Sequence, residues 1–476
     1  MQALLEGNCP VMTSIMERKK KQWIQTAAAV CFWLLVWQTA AFAVGQDLLL
    51  VSPVAVAKAL FTLVLMPQTW ITAAQTTARV LLGFAGGVIL GTGLAALAFC
   101  VPVFKTLFLP LMRTVRSIPL ASFVILALLW LKNAGNLSVF ISFLMVLPLV
   151  YANVLSGIES VGQGLPEMAR AFRFSKAKTL RYLYLPAAAP HFFAACEVGV
   201  GLSWKSGIAA ELIGITANSI GERLYDAKLL FATADLFAWT VLIVALSFVC
   251  EKLVLSISRA FLKAILVVPC GHAKVPAPGA PKTLWAKDIV FGYDGESILS
   301  GVSAGIEPGE CICVTAPSGK GKTTFLNILL GLKQPSRGQV GTLYISALFQ
   351  ENRLLDDLSA VENIALVSRL CREEILRELD SVGLVQEQAQ RRVKALSGGQ
   401  RRRVAILRAM LADGAEAIVM DEPLKGLDAQ AKEQTAQSVV RLQKGRPMLV
   451  MTHDRNDADL LHGCLKTWAE MEGKSN

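Results

Sequence analysis

The segment Ala316-Pro-Ser-Gly-Lys-Gly-Lys-Thr323 has the composition and spacing of a phosphate-binding loop. It follows a short apolar run, Cys311 to Thr315, which predicts a buried strand, and it precedes a helical pattern that begins at Thr324. In such a loop the backbone N–H groups surround phosphate oxygens, the lysine contacts the outer phosphates and the threonine hydroxyl binds Mg²⁺. Ala316 replaces the usual first glycine, and we expect this change to tune binding rather than abolish it. The residues expected to bind nucleotide here are Ser318, Gly319, Lys320, Gly321, Lys322, Thr323 and Thr324.

Two adjacent acids, Asp421 and Glu422, follow the apolar run that begins at Ala417. A carboxylate at the end of a buried strand can hold Mg²⁺ through water, and the next one can polarise an attacking water molecule. We therefore expect Asp421 to bind nucleotide and metal together with Thr323, and Glu422 to be catalytic. The implied cofactors are ATP and Mg²⁺.

The most specific motif is Leu396-Ser-Gly-Gly-Gln-Arg401, which resembles the signature sequence of ATP-binding-cassette (ABC) ATPases. Further motifs of that family occur before and after this signature in the expected order, and the resemblance covers residues 283–476. It implies that Tyr293 stacks on adenine, that Gln350 and His453 are catalytic, and that Gln350 also binds the metal. Each of these three residues, taken singly, also has an ordinary structural explanation. The remaining residues that the resemblance assigns to nucleotide binding are Ser397, Gly398, Gly399, Gln400 and Asp428.

In this family the signature faces the nucleotide held by the opposite protomer, so the resemblance implies a second copy of the chain as partner. The serine and glycines of the signature provide a helix start that can bind an anion. Lys425 and Gly426 depart from the small residues that usually precede Asp428.

Composition separates the chain into two parts. The 476 residues are 54% hydrophobic and 17% charged, whereas soluble domains carry about 25% charged residues. Up to Pro269 there are 21 basic and 11 acidic residues, and beyond it there are 26 and 25. The basic excess thus lies in the apolar part, which favours a membrane domain in a lipid bilayer and argues against nucleic acid as a partner. Fibrous, disordered and disulfide-scaffold proteins are excluded by composition.

Long apolar stretches predict six membrane spans, of which the fifth contains Glu197, Lys205 and Glu211. They are Gln22–Gln46, Val80–Phe104, Ser117–Leu131, Asn133–Ile158, Pro186–Ile215 and Leu236–Leu255. The segment Val51–Met66 contains Lys58, and its Ser52-Pro53 reads as a helix start, so we expect an amphipathic helix at the outer surface. With both ends in the cytosol, the internal loops hold twelve Lys and Arg residues and the external loops five, which agrees with the positive-inside rule. This orientation predicts a multi-pass protein of the cytoplasmic (inner) membrane with its ATPase domain in the cytosol.

The loop after the fourth span, residues 166–186, resembles the EAA loop of ABC importer permeases. Glu167, Ala169, Leu185 and Pro186 match the pattern, while Met168 replaces an alanine and Arg173 stands at the glycine position. The resemblance implies that Glu167, Ala169, Arg173 and Pro186 couple the permease to the cassette. The alternative is an ordinary basic cytosolic loop.

The segments Ser117–Ser122 and Ala217–Asp226 look like the permeases of nitrate, sulfonate and taurine importers, a group that also imports thiamine-precursor pyrimidines. This resemblance implies an external substrate-binding protein as a partner. A sulfonate-, nitrate- or taurine-like anion is the expected solute, with a pyrimidine or another small organic nutrient as the alternative. Lys205 lies inside the fifth span and is a candidate for the solute pathway, unless it pairs with a neighbouring carboxylate or reaches the interface.

The sequence therefore predicts an α-helical transmembrane domain followed by an α/β P-loop NTPase domain. The expected limits are a cytosolic tail over 1–22, the permease over 23–268, a linker over 269–282 and the cassette over 283–476. The expected function is ATP-driven import by a homodimer of fused half-transporters. An ABC exporter and a non-transporting sensor ATPase remain the rival functions.

Overall fold

The computed structural model describes residues 10–46, 48–131, 135–265, 281–293, 296–317 and 319–473. Internal contacts divide the chain into two compact units. The first comprises Met1–Ser156 with His191–Arg259, and the second comprises Gly157–Pro190 with Ala260–Asn476. The loop that resembles the EAA motif therefore groups with the C-terminal part of the chain. The predicted linker over 269–282 lies almost wholly outside the described residues.

Eleven helices precede the first described strand. In chain order they are α1 (Pro10–Val44), α2 (Pro53–Leu65), α3 (Pro67–Cys100), α4 (Pro102–Ser117), α5 (Leu120–Trp130), α6 (Gly135–Glu159), α7 (Gly164–Ala171), α8 (Lys176–Thr179), α9 (Leu185–Gly214), α10 (Ile220–Leu229) and α11 (Thr233–Ile265). A short π-helical turn, Leu180–Tyr184, joins α8 to α9. The predicted start of α2 is confirmed, because Ser52 caps the helix and Pro53 is its first residue.

By length and composition, five helical segments in the described chain could cross a membrane. They are Ile24–Val44, Pro67–Cys100, Gly135–Glu159, Lys176–Gly214 and Thr233–Ile265. The third predicted span, Ser117–Leu131, needs correction, because α4 and α5 form a pair bent by 104° that makes a sixth span only if counted as one. Pro119 explains the break: it lacks an N–H group and disfavours a helical conformation at Ile118, which is extended.

In the first unit, α3 packs closely on α6 through small residues. An added Cβ at Gly83 would lie 2.3 Å from the Val139 carbonyl oxygen, and at Gly87 it would lie 3.0 Å from the Phe143 carbonyl oxygen. Gly91 continues the same spacing of four residues along α3. Small residues at such a spacing let two helix backbones approach where lipid offers no hydrophobic driving force for association.

Among the described residues of the same unit, Glu211 near the end of α9 has a fully buried carboxylate. Its Oε2 accepts a hydrogen bond from Thr76 Oγ1 at 2.9 Å, and its Oε1 lies 3.4 Å from Arg79 Nη1. Thr76 Oγ1 also accepts from the backbone N–H of Ile220 at 3.0 Å. This cluster explains how α9 tolerates a buried acid, because groups on α3 and α10 form hydrogen bonds and an ion pair with the Glu211 carboxylate.

The second unit contains two sheets. Its strands are β1 (Leu284–Tyr293), β2 (Glu296–Ile306), β3 (Cys311–Thr315), β4 (Arg337–Val340), β5 (Ile345–Leu348), β6 (Ala417–Asp421), β7 (Met448–Thr452) and β8 (Cys464–Thr467). An antiparallel sheet has the order β2-β1-β4, and a parallel sheet has the order β5-β6-β7-β3-β8. Four of the parallel strands, β3, β5, β6 and β7, are short, apolar and buried, as the sequence pattern predicts, whereas the edge strand β8 is largely exposed.

Helices surround this parallel sheet. They are α12 (Lys322–Leu329), α13 (Ala360–Ala365), α14 (Arg372–Ser381), α15 (Gln386–Gln390), α16 (Gly398–Met410), α17 (Ala429–Gln443), α18 (Asn456–Leu460) and α19 (Trp468–Met471). One apolar core joins both sheets, these helices and the segment that begins at α7. Met168, Phe172 and Leu183 of that segment are buried in this core. The predicted fold class, a helical membrane domain followed by an α/β P-loop domain, is therefore confirmed.

Packing of α3 on α6 predicts different outcomes for two glycine substitutions in α3. Gly83→Ala should lower the melting temperature of the detergent-solubilised chain, because its Cβ would meet the backbone of α6. Gly93→Ala is the matched control, because an added Cβ there meets nothing within 4 Å and alanine favours the helix by about 1 kcal/mol over glycine. Equal melting temperatures for the two variants would contradict this close approach.

Candidate functional site

The carboxyl ends of β3, β6 and β7 bring the candidate site together. These strands are neighbours in the order β6-β7-β3, and both pairings between them are parallel. In a parallel sheet the segments that follow the strands meet at one edge, where ligands bind. Here those segments begin at Ala316, Glu422 and His453.

The loop between β3 and α12 has the backbone that phosphate binding requires. Gly319 and Gly321 both have φ of +84°, in the left-handed region that favours glycine. A Cβ at Gly321 would also lie 2.7 Å from Leu299 Cδ2. Helix α12 begins at Lys322, two residues earlier than the sequence indicated, so its free N–H groups face the loop.

The ammonium group of Lys322 lies at the centre of the site. It donates a hydrogen bond to the Ala316 carbonyl oxygen at 2.7 Å and lies 2.9 Å from His453 Nε2. Burial lowers the pKa of Lys322, although the carboxylates of Glu422 and Asp421 oppose that effect. A buried cation beside a helix start is suited to bind phosphate oxygens.

The two acids at the end of β6 have different environments. Burial raises the pKa of Asp421 although Thr323 Oγ1 donates a hydrogen bond to its Oδ2 at 2.9 Å. Burial also acts to raise the pKa of Glu422, but the contact with Lys425, together with His453 and Lys322, outweighs it and holds this pKa below its usual value. Glu422 Oε1 also lies 2.9 Å from His453 Nε2. Glu422 is thus the more readily ionised acid of the pair.

These residues line a cavity of about 440 Å³, a size within the usual range of ligand sites. Its lining comprises Ile298, Gly319, Gly321, Lys322, Thr323, Thr324, Gln350, Asp421, Glu422, Lys425 and His453. The structure therefore brings together the predicted residues of the phosphate loop, the Gln350 segment, the acid pair and the histidine. The Thr323 hydroxyl, the Asp421 carboxylate and the Gln350 amide supply oxygen donors, the kind of ligand that Mg²⁺ prefers.

Other predicted residues lie outside this lining. Ser397 caps α16 through its hydrogen bond with the Gln400 backbone, and it is exposed together with Gly398. Asp428 caps α17 in the same way and is also exposed. Gly399 and Gln400 are half-buried, and Lys320 lines a neighbouring cavity. Ser318 and the side chain of Tyr293 lie outside the described residues.

Sequence reasoning missed Arg402, whose buried guanidinium donates only to uncharged oxygens. The acceptors are the carbonyls of Phe349, Gln350, Asp421, Glu422 and Pro423, and Asn352 Oδ1. Burial lowers the pKa of Arg402 to about 10. The run of three arginines after the signature, Arg401 to Arg403, was the only sequence signal for this role.

The predicted coupling residue Glu167 contacts the Gln350 segment within the second unit. Arg353 Nη1 lies 2.9 Å from Glu167 Oε2, and both side chains are largely buried. Arg408 of α16 donates to the Arg353 carbonyl oxygen at 2.8 Å and lies over the Phe172 ring at 5.0 Å. Helix α7 is therefore tied to the segment that carries Gln350.

The other coupling candidates, Ala169, Arg173 and Pro186, also belong to the second unit. Arg173 has φ of +50°, which explains why the related pattern has glycine there. Its Nη2 donates to the Leu343 carbonyl oxygen at 3.1 Å, and its guanidinium lies over the Tyr344 ring. Ala169 is buried in the shared core, and Pro186 is half-buried in α9.

The pathway candidate Lys205 lies in α9 within the first unit. Its side chain is exposed and has no hydrogen bond or ion pair within the described part of the chain. The carboxylate that α9 does bury, Glu211, pairs with Arg79 instead.

Two family models match the chain. The model described as "Binding-protein-dependent transport system inner membrane component" matches residues 83–266, and the model described as "ABC transporter" matches residues 299–425. A solved dimeric structure of a post-hydrolysis state of the ATP-binding cassette MJ0796, bound to ADP and Pi, is 29% identical. It covers 37% of this chain and 90% of that chain, with a TM-score of 0.34.

Curated relatives are similar in part of the chain. The aliphatic sulfonates import ATP-binding protein SsuB 1 of Rhodococcus jostii (strain RHA1) is 36% identical over 178 residues, which are 36% of this chain and 72% of that protein. The spermidine/putrescine import ATP-binding protein PotA of Mesoplasma florum is 32% identical over 193 residues, which are 36% of this chain. The match spans 55% of that PotA, so the chain covers about half the length of this relative.

The two family models and the sequence similarity to SsuB 1, together with the geometry above, define the class of protein. The chain belongs to the ABC transporter family and joins an importer-type permease domain and an ATP-binding cassette in one polypeptide. It is an integral membrane protein.

The central position of Lys322 predicts its role in nucleotide binding. Lys322→Ala should weaken the affinity of the full chain for ATP at least about tenfold, because a charge-assisted contact contributes roughly 1.5–3 kcal/mol. Lys320→Ala should have a smaller effect, since its side chain lines the neighbouring cavity. Titration with a fluorescent ATP analogue measures both affinities. Equal losses for the two variants would contradict the central position of Lys322.

The contact between Glu167 and Arg353 predicts a charge-swap result. Glu167→Arg and Arg353→Glu should each lower the melting temperature of the full chain, because each places like charges together in a largely buried position. The double variant should recover part of the loss, with a coupling of about 1 kcal/mol. Strictly additive losses in the double variant would show that the two side chains do not interact.

Proposed function

We propose that this chain hydrolyses ATP to drive import of a small solute, as one half of a homodimeric transporter. The observation that carries this proposal is the single cavity lined by Lys322, Thr323, Gln350, Glu422 and His453. These residues come from four separate segments, and each has the side chain that its expected role needs. The full set is difficult to explain as packing alone.

Each residue has a distinct role in the proposed hydrolysis. Lys322 and the start of α12 bind the phosphates. Thr323, Asp421 and Gln350 hold Mg²⁺, which neutralises phosphate charge when it is bound. Glu422, which lines the cavity at the end of β6, orients and polarises the attacking water. His453 contacts both Lys322 and Glu422, so it positions Glu422 relative to the cation that binds phosphate.

A second copy of the chain completes each ATP site in this proposal. The signature residues Ser397 and Gly398 are exposed at the start of α16, and they do not line the cavity of their own chain. Asp428 is likewise exposed at the start of α17. Two chains placed head to tail would bring the signature of one to the nucleotide of the other.

Coupling to the membrane domain passes through α7 and the residues around it. Glu167, Ala169, Arg173 and Pro186 all belong to the segment that packs in the second unit. Glu167 contacts Arg353, three residues after Gln350. A change at the cavity that moves Gln350 would therefore move α7 as well.

Import, rather than export, is favoured by the family model of binding-protein-dependent permeases over residues 83–266. This match also supports an external substrate-binding protein as partner. We place the chain in the cytoplasmic (inner) membrane with the cassette in the cytosol, where ATP is available.

The solute that we propose is a small anion of the sulfonate, nitrate or taurine type. The names of the two relatives refer to different solutes, aliphatic sulfonates for SsuB 1 and spermidine or putrescine for PotA. Lys205 favours the anion, because it is an exposed cation on α9 that no described carboxylate neutralises. A thiamine-precursor pyrimidine is the second candidate.

Vesicles prepared from cells that contain the chain and their own binding proteins provide the test. Loaded with ATP, they should take up labelled taurine in preference to labelled putrescine. Glu422→Gln should bind ATP yet lose more than about 100-fold in hydrolysis, since it removes the carboxylate that polarises water. Glu416→Gln is the matched control, because Glu416 precedes β6 and pairs with Lys282 away from the cavity.

Two results would count against the proposal. If the Glu422→Gln variant hydrolysed ATP at the rate of the unmodified chain, Glu422 would not be the residue that polarises the attacking water. Uptake of putrescine in preference to taurine would leave the ATPase intact but exclude the proposed class of solute.

A further inference from the structure

Arg402 joins two segments of the nucleotide cavity without lining the cavity itself. On one side its Nη1 donates to the Phe349 carbonyl oxygen at 2.8 Å and to the Gln350 carbonyl oxygen at 3.2 Å. On the other side its Nη2 donates to the Glu422 carbonyl oxygen at 2.7 Å. One rigid guanidinium group thus connects the segment that carries Gln350 to the strand end that carries Glu422.

The backbone at Glu422 depends on this connection. Glu422 has φ of +52°, a conformation that residues other than glycine rarely adopt. Successive carbonyl groups of an extended strand point in opposite directions, whereas the turn at Glu422 lets those of residues 421, 422 and 423 converge on Arg402. A strained conformation of this kind persists only where the surrounding structure holds it. The hydrogen bonds from Arg402 provide that support.

Arg402 also lies on the helix that begins with the signature. Ser397 caps α16, and Arg402 follows five residues later on the same buried helix. A displacement of the start of α16 would therefore move the guanidinium and, with it, the backbone of Glu422.

We propose that Arg402 is a positioning residue for ATP hydrolysis, which holds Gln350 and Glu422 in one geometry and links both to the signature of the same chain. This inference rests on the proposed ATPase function. Arg402 acts through the backbone of its neighbours and does not contact the nucleotide. The forked group is required, because the guanidinium spreads its donors over three nitrogen atoms and reaches six acceptors on the two segments, whereas an ammonium has only three donors on one atom.

Arg446 offers a matched control. Its guanidinium is also buried and also donates to carbonyl oxygens, those of Met410 at 2.8 Å and Leu442 at 2.6 Å. None of its acceptors belongs to the cavity. Arg446→Gln therefore removes a comparable buried hydrogen-bonding group without touching Gln350 or Glu422.

The experiment compares Arg402→Gln, Arg402→Lys and Arg446→Gln in the full chain reconstituted in lipid vesicles. It measures kcat and KM for ATP hydrolysis and the melting temperature of each variant. Arg402→Gln should lower kcat about 10- to 100-fold, because small displacements of a catalytic group have effects of that size. KM should change much less than kcat. Arg446→Gln should lower the melting temperature similarly while keeping most of its kcat.

Arg402→Lys keeps the buried charge but not the fork, so its kcat should fall as well. A fully active Arg402→Lys variant would overturn the proposal, as would equal losses of kcat in Arg402→Gln and Arg446→Gln. If Arg402→Gln fails to fold, the proposal is decided by comparing the kcat of Arg402→Lys with that of Arg446→Gln.

A second readout separates positioning from binding. In a Glu422→Gln background, Arg402→Lys should leave the affinity for a fluorescent ATP analogue unchanged, and a loss as large as that in kcat would overturn the positioning role. Failure of the unmodified chain to hydrolyse ATP would refute the proposed function itself. If the unmodified chain hydrolyses ATP and the Arg402 variants do so at the same rate, only this inference would be refuted.

Discussion

The ammonium group of Lys322 connects the strand ends from which the site is built. It contacts the Ala316 carbonyl oxygen after β3 and His453 after β7, and His453 in turn contacts Glu422 after β6. These charges share a partly buried cavity, where electrostatic interactions are stronger than in water. A phosphate group that enters the cavity must compete for Lys322 with these partners. Binding of phosphate and the contact of Lys322 with His453, which in turn contacts Glu422, are therefore linked by one cation.

Motifs with strong chemical constraints could be predicted from sequence. The phosphate loop, the acids at Asp421 and Glu422 and the signature each need particular residues at particular spacings, because backbone N–H groups and strand ends position them. The parallel order β5-β6-β7-β3-β8 then brings the phosphate loop and the two acids to one edge, while the signature lies apart at the start of α16. Burial of Cys311 and Cys313 on β3 also agrees with the apolar role expected of them.

Other features could not be predicted, because their partners have no sequence signal. The acceptors of Arg402 include five backbone carbonyls, which any residue type supplies. Pairing of Glu211 with Thr76 and Arg79 depends on helix packing between residues far apart in the chain. The bend between α4 and α5 had a local signal, Pro119, but the apolar run around it dominated the hydropathy pattern.

The docking of α7 combines two kinds of interaction with different strengths. Buried apolar side chains such as Met168 and Phe172 contribute roughly 1.5–3 kcal/mol each, whereas a largely buried ion pair loses most of its attraction to the cost of desolvation. The shared apolar core therefore supplies most of the attachment of α7 to the second unit. The polar contacts of Glu167 and Arg173 are directional, so they set orientation rather than strength. Because Arg408 holds the Arg353 carbonyl oxygen from α16, the helix that begins with the signature also fixes the segment to which α7 is oriented. A rotation of α16 would thus be transmitted to α7 without loss of its apolar attachment.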